Sequence, residues 1–210
     1  MAFAILLVIL VLAWMIYRHT SHIRINRGFI DQYQFPKKIS ERISETYPHL
    51  SDEQVELVIR GLREYFHLCG TARLGNVAMP SQVVDLAWHE FILFTREYDL
   101  FCQQAFGRFL HHTPAEAMES QMSAQACIRT AWQLSCQRQN LPAGAIMTEL
   151  PILFAMDARL NIEDGFKYAL NCDLPGNHHY CASHIASSTS AESQFGGGCS
   201  SCSSGCGGGD

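Results

Sequence analysis

The chain is short of charge, and the balance of what it has is acidic. Asp, Glu, Lys and Arg make up 17% of its 210 residues, with 15 Lys and Arg against 20 Asp and Glu. That balance supplies no phosphate-seeking field over the chain and excludes a nucleic-acid binder by composition. The usual nucleotide, hydrolase and zincin signatures are missing too, since no G-x-x-x-x-G-K-[ST], G-x-G-x-x-G, G-x-S-x-G or H-E-x-x-H occurs. His89-Glu90 begins the last of these, but position 93 is Leu. No run of β-branched residues repeats with a period of two. The fold class therefore reads as all-α, a small bundle of four to five helices. Nine cysteines are few for a disulfide scaffold of this length, and an odd number leaves at least one thiol unpaired or on a metal.

Long apolar runs are absent as well, with one exception. Ala2 to Tyr17 carries no charge, and as a helix it would extend about 24 Å, the short end of a membrane span. Trp14 and Tyr17 stand at its end, where amphipathic rings favour the headgroup level. Arg18, Arg24 and Arg27 follow, and no acid appears before Asp31. An uncleaved transmembrane anchor over residues 1–17 is expected, because the cations come after the apolar run and no small-residue cleavage site follows it. The positive-inside rule then sets the N-terminus outside and the body in the cytoplasm, a single-pass protein of the inner membrane with the lipid bilayer as partner. A cytoplasmic body predicts reduced thiols. Residues 18–35 read as a basic juxtamembrane linker, 36–171 as the helical domain and 172–184 as a Cys/His-rich segment. Residues 185–210, largely Gly, Ser and Cys, read as a disordered tail.

Helix signals order the body. Ile39 and Ile43, spaced i, i+4, mark a short helix that Pro48 ends. Ser51-Asp52-Glu53-Gln54 is a capping box, and Val55, Val58, Ile59, Leu62, Tyr65, Phe66 and Cys69 recur behind it every three or four residues. Glu53, Glu56, Arg60, Arg63, Glu64 and His67 face away, which makes His67 a solvated surface histidine. Gly70 is expected to stop that helix from the C′ position. The next helix is expected to run unbroken over roughly 82–106, from Ser81 to Gly107. Thr113-Pro114-Ala115-Glu116 is a second capping box, leading a weaker helix to about Gln139 with Trp132 among its apolar residues. A last short helix falls within 152–170.

Steps of about 100° along the 82–106 helix put Asp85, His89, Arg96, Asp99 and Gln103 on one polar stripe, with Trp88 on its flank. Asp85 lies one turn before His89, so its carboxylate can hold one imidazole nitrogen and leave the other free. That is the orienting pair found behind metal ligands and general bases. The plainer alternative is a stripe that faces water or pairs internally, His89 with Asp85 and Arg96 with Asp99. His111 and His112 are excluded from His89 by a straight helix, which advances about 25 Å from residue 89 to 106, while the five residues to 111 retrace at most about 17 Å. A shared site exists only if the helix breaks well before residue 106. Both histidines are expected instead to close the helical hairpin through Gln103 or Asp99.

A second cluster lies toward the end of the chain. Cys181-x-x-His184 has ligand spacing, and Cys172, His178 and His179 can complete a tetrahedral shell. Cys199, Cys202 and Cys206 add three thiols in the tail. Their softness favours zinc or another thiophilic metal, copper(I) or an iron–sulfur cluster among them. The alternative is a low-complexity tail whose cysteines carry no fixed metal.

The stretch Met79-Pro80-Ser81-Gln82-Val83-Val84-Asp85-Leu86-Ala87-Trp88-His89, with Tyr98, Phe101-Cys102 and Leu110-His111-His112, resembles the glycine-rich domain-containing protein-like family, which carries a D-x-x-W-H helix. The Gly/Cys tail is similar to that family's glycine-rich end. The resemblance covers about residues 50–115 and the tail by composition only, and it implies an architecture more than a mechanism. The expected function is a single-pass membrane protein whose cytoplasmic helical domain is an interaction or assembly module for an unknown protein partner, with a tail able to bind metal. The rival is a metal-dependent enzyme or metal carrier using Asp85 and His89 or the Cys172–His184 cluster.

Overall fold

In the computed structural model the described residues are 7, 9–15, 27–72, 77–112, 121–142, 149–170, 180–182 and 185. They are mostly helical. Six helices are named here: α1 (Lys37–Thr46), α2 (Asp52–Thr71), α3 (Gln82–Leu93), α4 (Thr95–Phe106), α5 (Gln121–Gln139) and α6 (Ile152–Arg159). Helical turns also cover residues 27–32 and the described part of 7–15. Among the described residues no helix is long and apolar enough to cross a membrane.

Local chemistry accounts for the first two helices. Pro36, with its ring-fixed φ, leads into α1, which buries Ile39 and Ile43 on one side and stops at Thr46, two residues before Pro48. The capping box of α2 is reciprocal. Ser51 Oγ accepts from the Gln54 N–H at 3.4 Å, and Gln54 Oε1 accepts from the Ser51 N–H at 2.9 Å. Gly70 does not end this helix. α2 runs on to Thr71, and the capping Ala72 stays right-handed. A Cβ at Gly70 would meet only the Phe106 ring, at 3.7 Å, so the glycine is an ordinary helical position against a neighbouring side chain.

The helix expected over 82–106 breaks at Phe94, whose ψ of 57° separates α3 from α4. Neither Gly nor Pro marks the break, so its cause is tertiary. Phe91 and Phe101 would sit about 15 Å apart along a straight helix axis, yet their ring centroids are 5.3 Å apart. The elbow lets Phe91 and Phe101 bury against Phe66 and Tyr33, with Tyr98 edge-on to Phe91, in one aromatic core. Gly107, with φ +70°, then ends α4 in the left-handed conformation glycine adopts without a Cβ penalty.

The polar side of α2 is not free. His67 is buried, and its Nε2 lies 2.7 Å from Asp31 Oδ1. Arg63 donates from Nε to the Ile30 carbonyl at 3.0 Å and from Nη2 to the Tyr33 carbonyl at 2.7 Å, with its guanidinium over the Phe35 ring. Residues 27–35 are thus packed on the body rather than strung beside it as a linker, and Ile30 is part of the core. The sequence hid this because Arg63 and His67 of α2 find these partners thirty or more residues upstream.

α5 buries Trp132 against Phe154 of α6, and Arg138 forms a two-pronged bond to Glu64 of α2 at 2.8 and 2.9 Å. The all-α expectation needs one small amendment: Tyr168–Ala169 (β1) pairs in parallel with Tyr180–Cys181 (β2), Tyr168 opposite Tyr180. The second capping box, Thr113 to Glu116, lies outside the described residues.

Candidate metal centre

The start of α3 is fixed from two sides. Ser81 Oγ caps the Val84 N–H at 3.3 Å. The buried Asp157 of α6 reaches the same helix end, accepting from Ser81 Oγ at 2.6 Å, Gln82 N–H at 2.7 Å, Val83 N–H at 3.3 Å and, from beyond its own helix, Phe166 N–H at 2.8 Å. Burial pushes this carboxyl above its ordinary range, while the four donors pull the other way. A carboxylate at a helix N-terminus also meets the positive end of the helix dipole. Nothing in the sequence pointed to Asp157.

From that fixed start, Asp85 and His89 emerge one turn apart, with Asp85 Oδ2 3.4 Å from His89 Nδ1. The third member is His112. Its Nε2 lies 3.1 Å from Asp85 Oδ1, and its ring centroid is 4.2 Å from that of His89. One ligand atom from each of Asp85, His89 and His112 falls within 4.8 Å of the other two. Around a tetrahedral ion with bonds of ~2.0–2.1 Å, ligand atoms stand about 3.3 Å apart, so modest side-chain rotation closes this set on a metal. The His89 side chain is 50% exposed, against 21% for Asp85 and 16% for His112. The cluster therefore has one wet side and one sealed side.

This overturns the distance argument that separated His89 from His112. The argument assumed a straight helix to residue 106, and the elbow at Phe94 turns α4 back so that its far end returns toward α3. The polar stripe is divided by the same elbow. Arg96, Asp99 and Gln103 are exposed on α4 and take no part in the Asp85 cluster. Among the described residues no ion pair joins Arg96 to Asp99. His112 closes on Asp85 rather than on Gln103 or Asp99, and His111 is exposed with its ring beside Phe109. Trp88, the stripe's flank, is buried with its ring 4.5 Å from that of His112.

The second cluster falls mostly outside the described residues, as do Cys172, His178, His179, His184, Cys199, Cys202 and Cys206. Cys181 is described, and it is disulfide-bonded. A sulfur in a disulfide offers no thiolate, so in this state Cys181 is no ligand, contrary to the expectation of reduced thiols. Among the described residues Cys69, Cys102, Cys127 and Cys136 are free, and all four are buried. Burial pushes the Cys69 thiol up to about 12, which makes it a core filler rather than a nucleophile.

A family model described as UCP032817-like matches residues 25–188. The match takes in all six named helices. Its description is not that of the glycine-rich domain-containing family that the D-x-x-W-H motif resembles. No curated protein and no solved structure matches the chain.

Proposed function

The chain belongs to the UCP032817-like family, and on that footing we propose that its helical domain holds one divalent transition-metal ion on Asp85, His89 and His112. The observation that carries this reading is the convergence of two imidazoles and one carboxylate, brought from both sides of the elbow, within ligand reach of each other. Two histidines and a carboxylate suit zinc, and equally iron, nickel or copper, better than they suit magnesium or calcium. Three protein ligands leave a coordination position open to water or substrate, as in catalytic rather than structural sites. A metal there would lower the pKa of a bound water toward neutrality, making a hydrolytic or hydration reaction the natural use.

The domain is tethered to a membrane in this reading. Leu7 and residues 9–15 are apolar and helical, and Leu7, Ile9, Leu10, Val11, Leu12 and Met15 expose large apolar side chains. The arginines after Tyr17 favour a cytoplasmic body, whereas the Cys181 disulfide favours an oxidising compartment. A C-terminal reporter active on only one side of the bilayer decides between them. The metal-free interaction module is supported by Leu93 and Leu100, which stand 71% and 54% exposed near the elbow.

Cobalt(II) titration of the full chain, followed by visible absorption, separates the two functions. One equivalent bound in the wild type, and none in His89→Ala or His112→Ala, supports the metal centre. Binding that survives in the His89→Ala/His112→Ala double variant, or no binding in the wild type, overturns it in favour of the interaction module.

A further inference from the structure

His112 has no helix of its own. It stands at the end of the short segment 107–112 that follows α4, and its place is decided by what holds Leu110, two residues before it. The Tyr98 hydroxyl donates to the Leu110 carbonyl at 2.6 Å. The same hydroxyl accepts from the Trp88 indole N–H at 3.0 Å. Both donors of this short chain are thereby satisfied inside the core, and Tyr98 itself is fully buried. The Cys102 thiol lies beside the Leu110 backbone N–H and the Tyr98 hydroxyl. Phe109 packs edge-on against the Tyr98 ring, with centroids 5.3 Å apart.

We infer that Tyr98 is the positioning residue of the metal centre: its hydroxyl, fixed by Trp88, holds the 107–112 segment closed and so delivers His112 to Asp85 and His89. The inference rests on the metal-centre reading for its consequence but not for its geometry. Trp88 serves twice. It orients the Tyr98 hydroxyl through its N–H, and its ring walls the buried side of His112. α3 therefore supplies Asp85, His89 and the anchor of the third ligand within one turn. The segment's closure and the metal's affinity are linked, and by reciprocity a bound ion resists opening of the segment.

Tyr98→Phe removes one oxygen and keeps the ring. The first measurement needs no metal: the ring-current shift that the Trp88 indole imposes on the His112 ring protons, read by NMR on the full chain. It should collapse toward the shift of a solvent-exposed histidine. The second is the cobalt(II) and zinc affinity, expected to weaken 10–100-fold, as when an outer-shell partner is lost, with His89→Ala as the complete loss. Where Tyr98→Phe fails to fold, Cys102→Ala removes the thiol beside the Leu110 N–H and the Tyr98 hydroxyl and is read the same way. A His112 shift and metal affinity both unchanged in a folded variant overturn the inference. A collapsed shift in a protein whose wild type binds no metal upholds the role of Tyr98 and sinks the metal-centre reading alone.

Discussion

The His112 imidazole stands 3.1 Å from the Asp85 carboxylate across 27 residues of chain, and the turn at Phe94 is what brings them together. Asp85 faces both imidazoles, so without a metal its carboxylate is the hub of the cluster. One ligand atom from each of the three groups lies within 4.8 Å of the other two.

Two glycines near the same interface should respond oppositely to substitution. Gly70 is a helical residue in α2, and a methyl group there meets only ordinary van der Waals contact. Gly70→Ala is expected to raise stability by roughly 0.5–1 kcal/mol, the difference in helix propensity. Gly107 holds φ +70°, so Gly107→Ala should cost about 1 kcal/mol although open space surrounds it. Urea unfolding of both variants checks the pair. A stability loss in Gly70→Ala would mean that the glycine does end the helix.

Asp157 should be among the least replaceable side chains of the body. Asp157→Ala strips the acceptor from Ser81, Gln82, Val83 and Phe166 together, and stability is expected to fall by roughly 3 kcal/mol or more. Ser81→Ala loses one cap and should cost about 1 kcal/mol. Gly165 has the same root: a Cβ there would lie 2.5 Å from the Asp157 Cβ, so Gly165→Ala should destabilise strongly. Thermal melts of the three variants give the order. Near-equal losses from Ser81→Ala and Asp157→Ala would show that the carboxylate adds nothing beyond the local cap.

His67 makes stability depend on pH. Burial, chiefly, lowers its pKa below the ordinary 6.5; Arg138 lowers it further, while Asp31 and Glu64 oppose. The neutral ring donates to Asp31 from Nε2, and protonation would place a second N–H on Nδ1, which has no partner. Between the two pKa values the unfolded chain binds more protons than the folded one, so stability is complete above pH 6.5 and falls as the pH drops through it. Denaturant midpoints from pH 8 to 5 should decline in the wild type and flatten in His67→Gln. A wild type with no decline contradicts the buried neutral histidine.

The places where the sequence was readable share a property: the signal and its partner lie within one helical turn. The Ser51 and Gln54 box, the Ile39 and Ile43 pair and the Gly107 terminus are all of this kind. The elbow at Phe94 has no such signal, because ring packing with Phe66 and Tyr33 breaks the helix where its own residues would continue it. His67 and Arg63 were read as solvent-facing for the same reason, since Asp31 and the carbonyls of Ile30 and Tyr33 are remote in sequence. The candidate site was half legible. Asp85 and His89 followed from helical spacing, while His112 depended on the unsignalled turn, and Asp157 on a helix arriving more than seventy residues later.

Arg63 and His67, one turn apart on α2, grip the backbone of Ile30 and Tyr33 and the side chain of Asp31. A pull transmitted from the N-terminal side of the chain therefore enters the body through these charged contacts and is spread along a twenty-residue rod. α1, which follows in sequence, is bypassed. Mechanical stress from that end should detach residues 27–35 first and, with them, strip Tyr33 from the ring cluster that packs on both sides of the elbow.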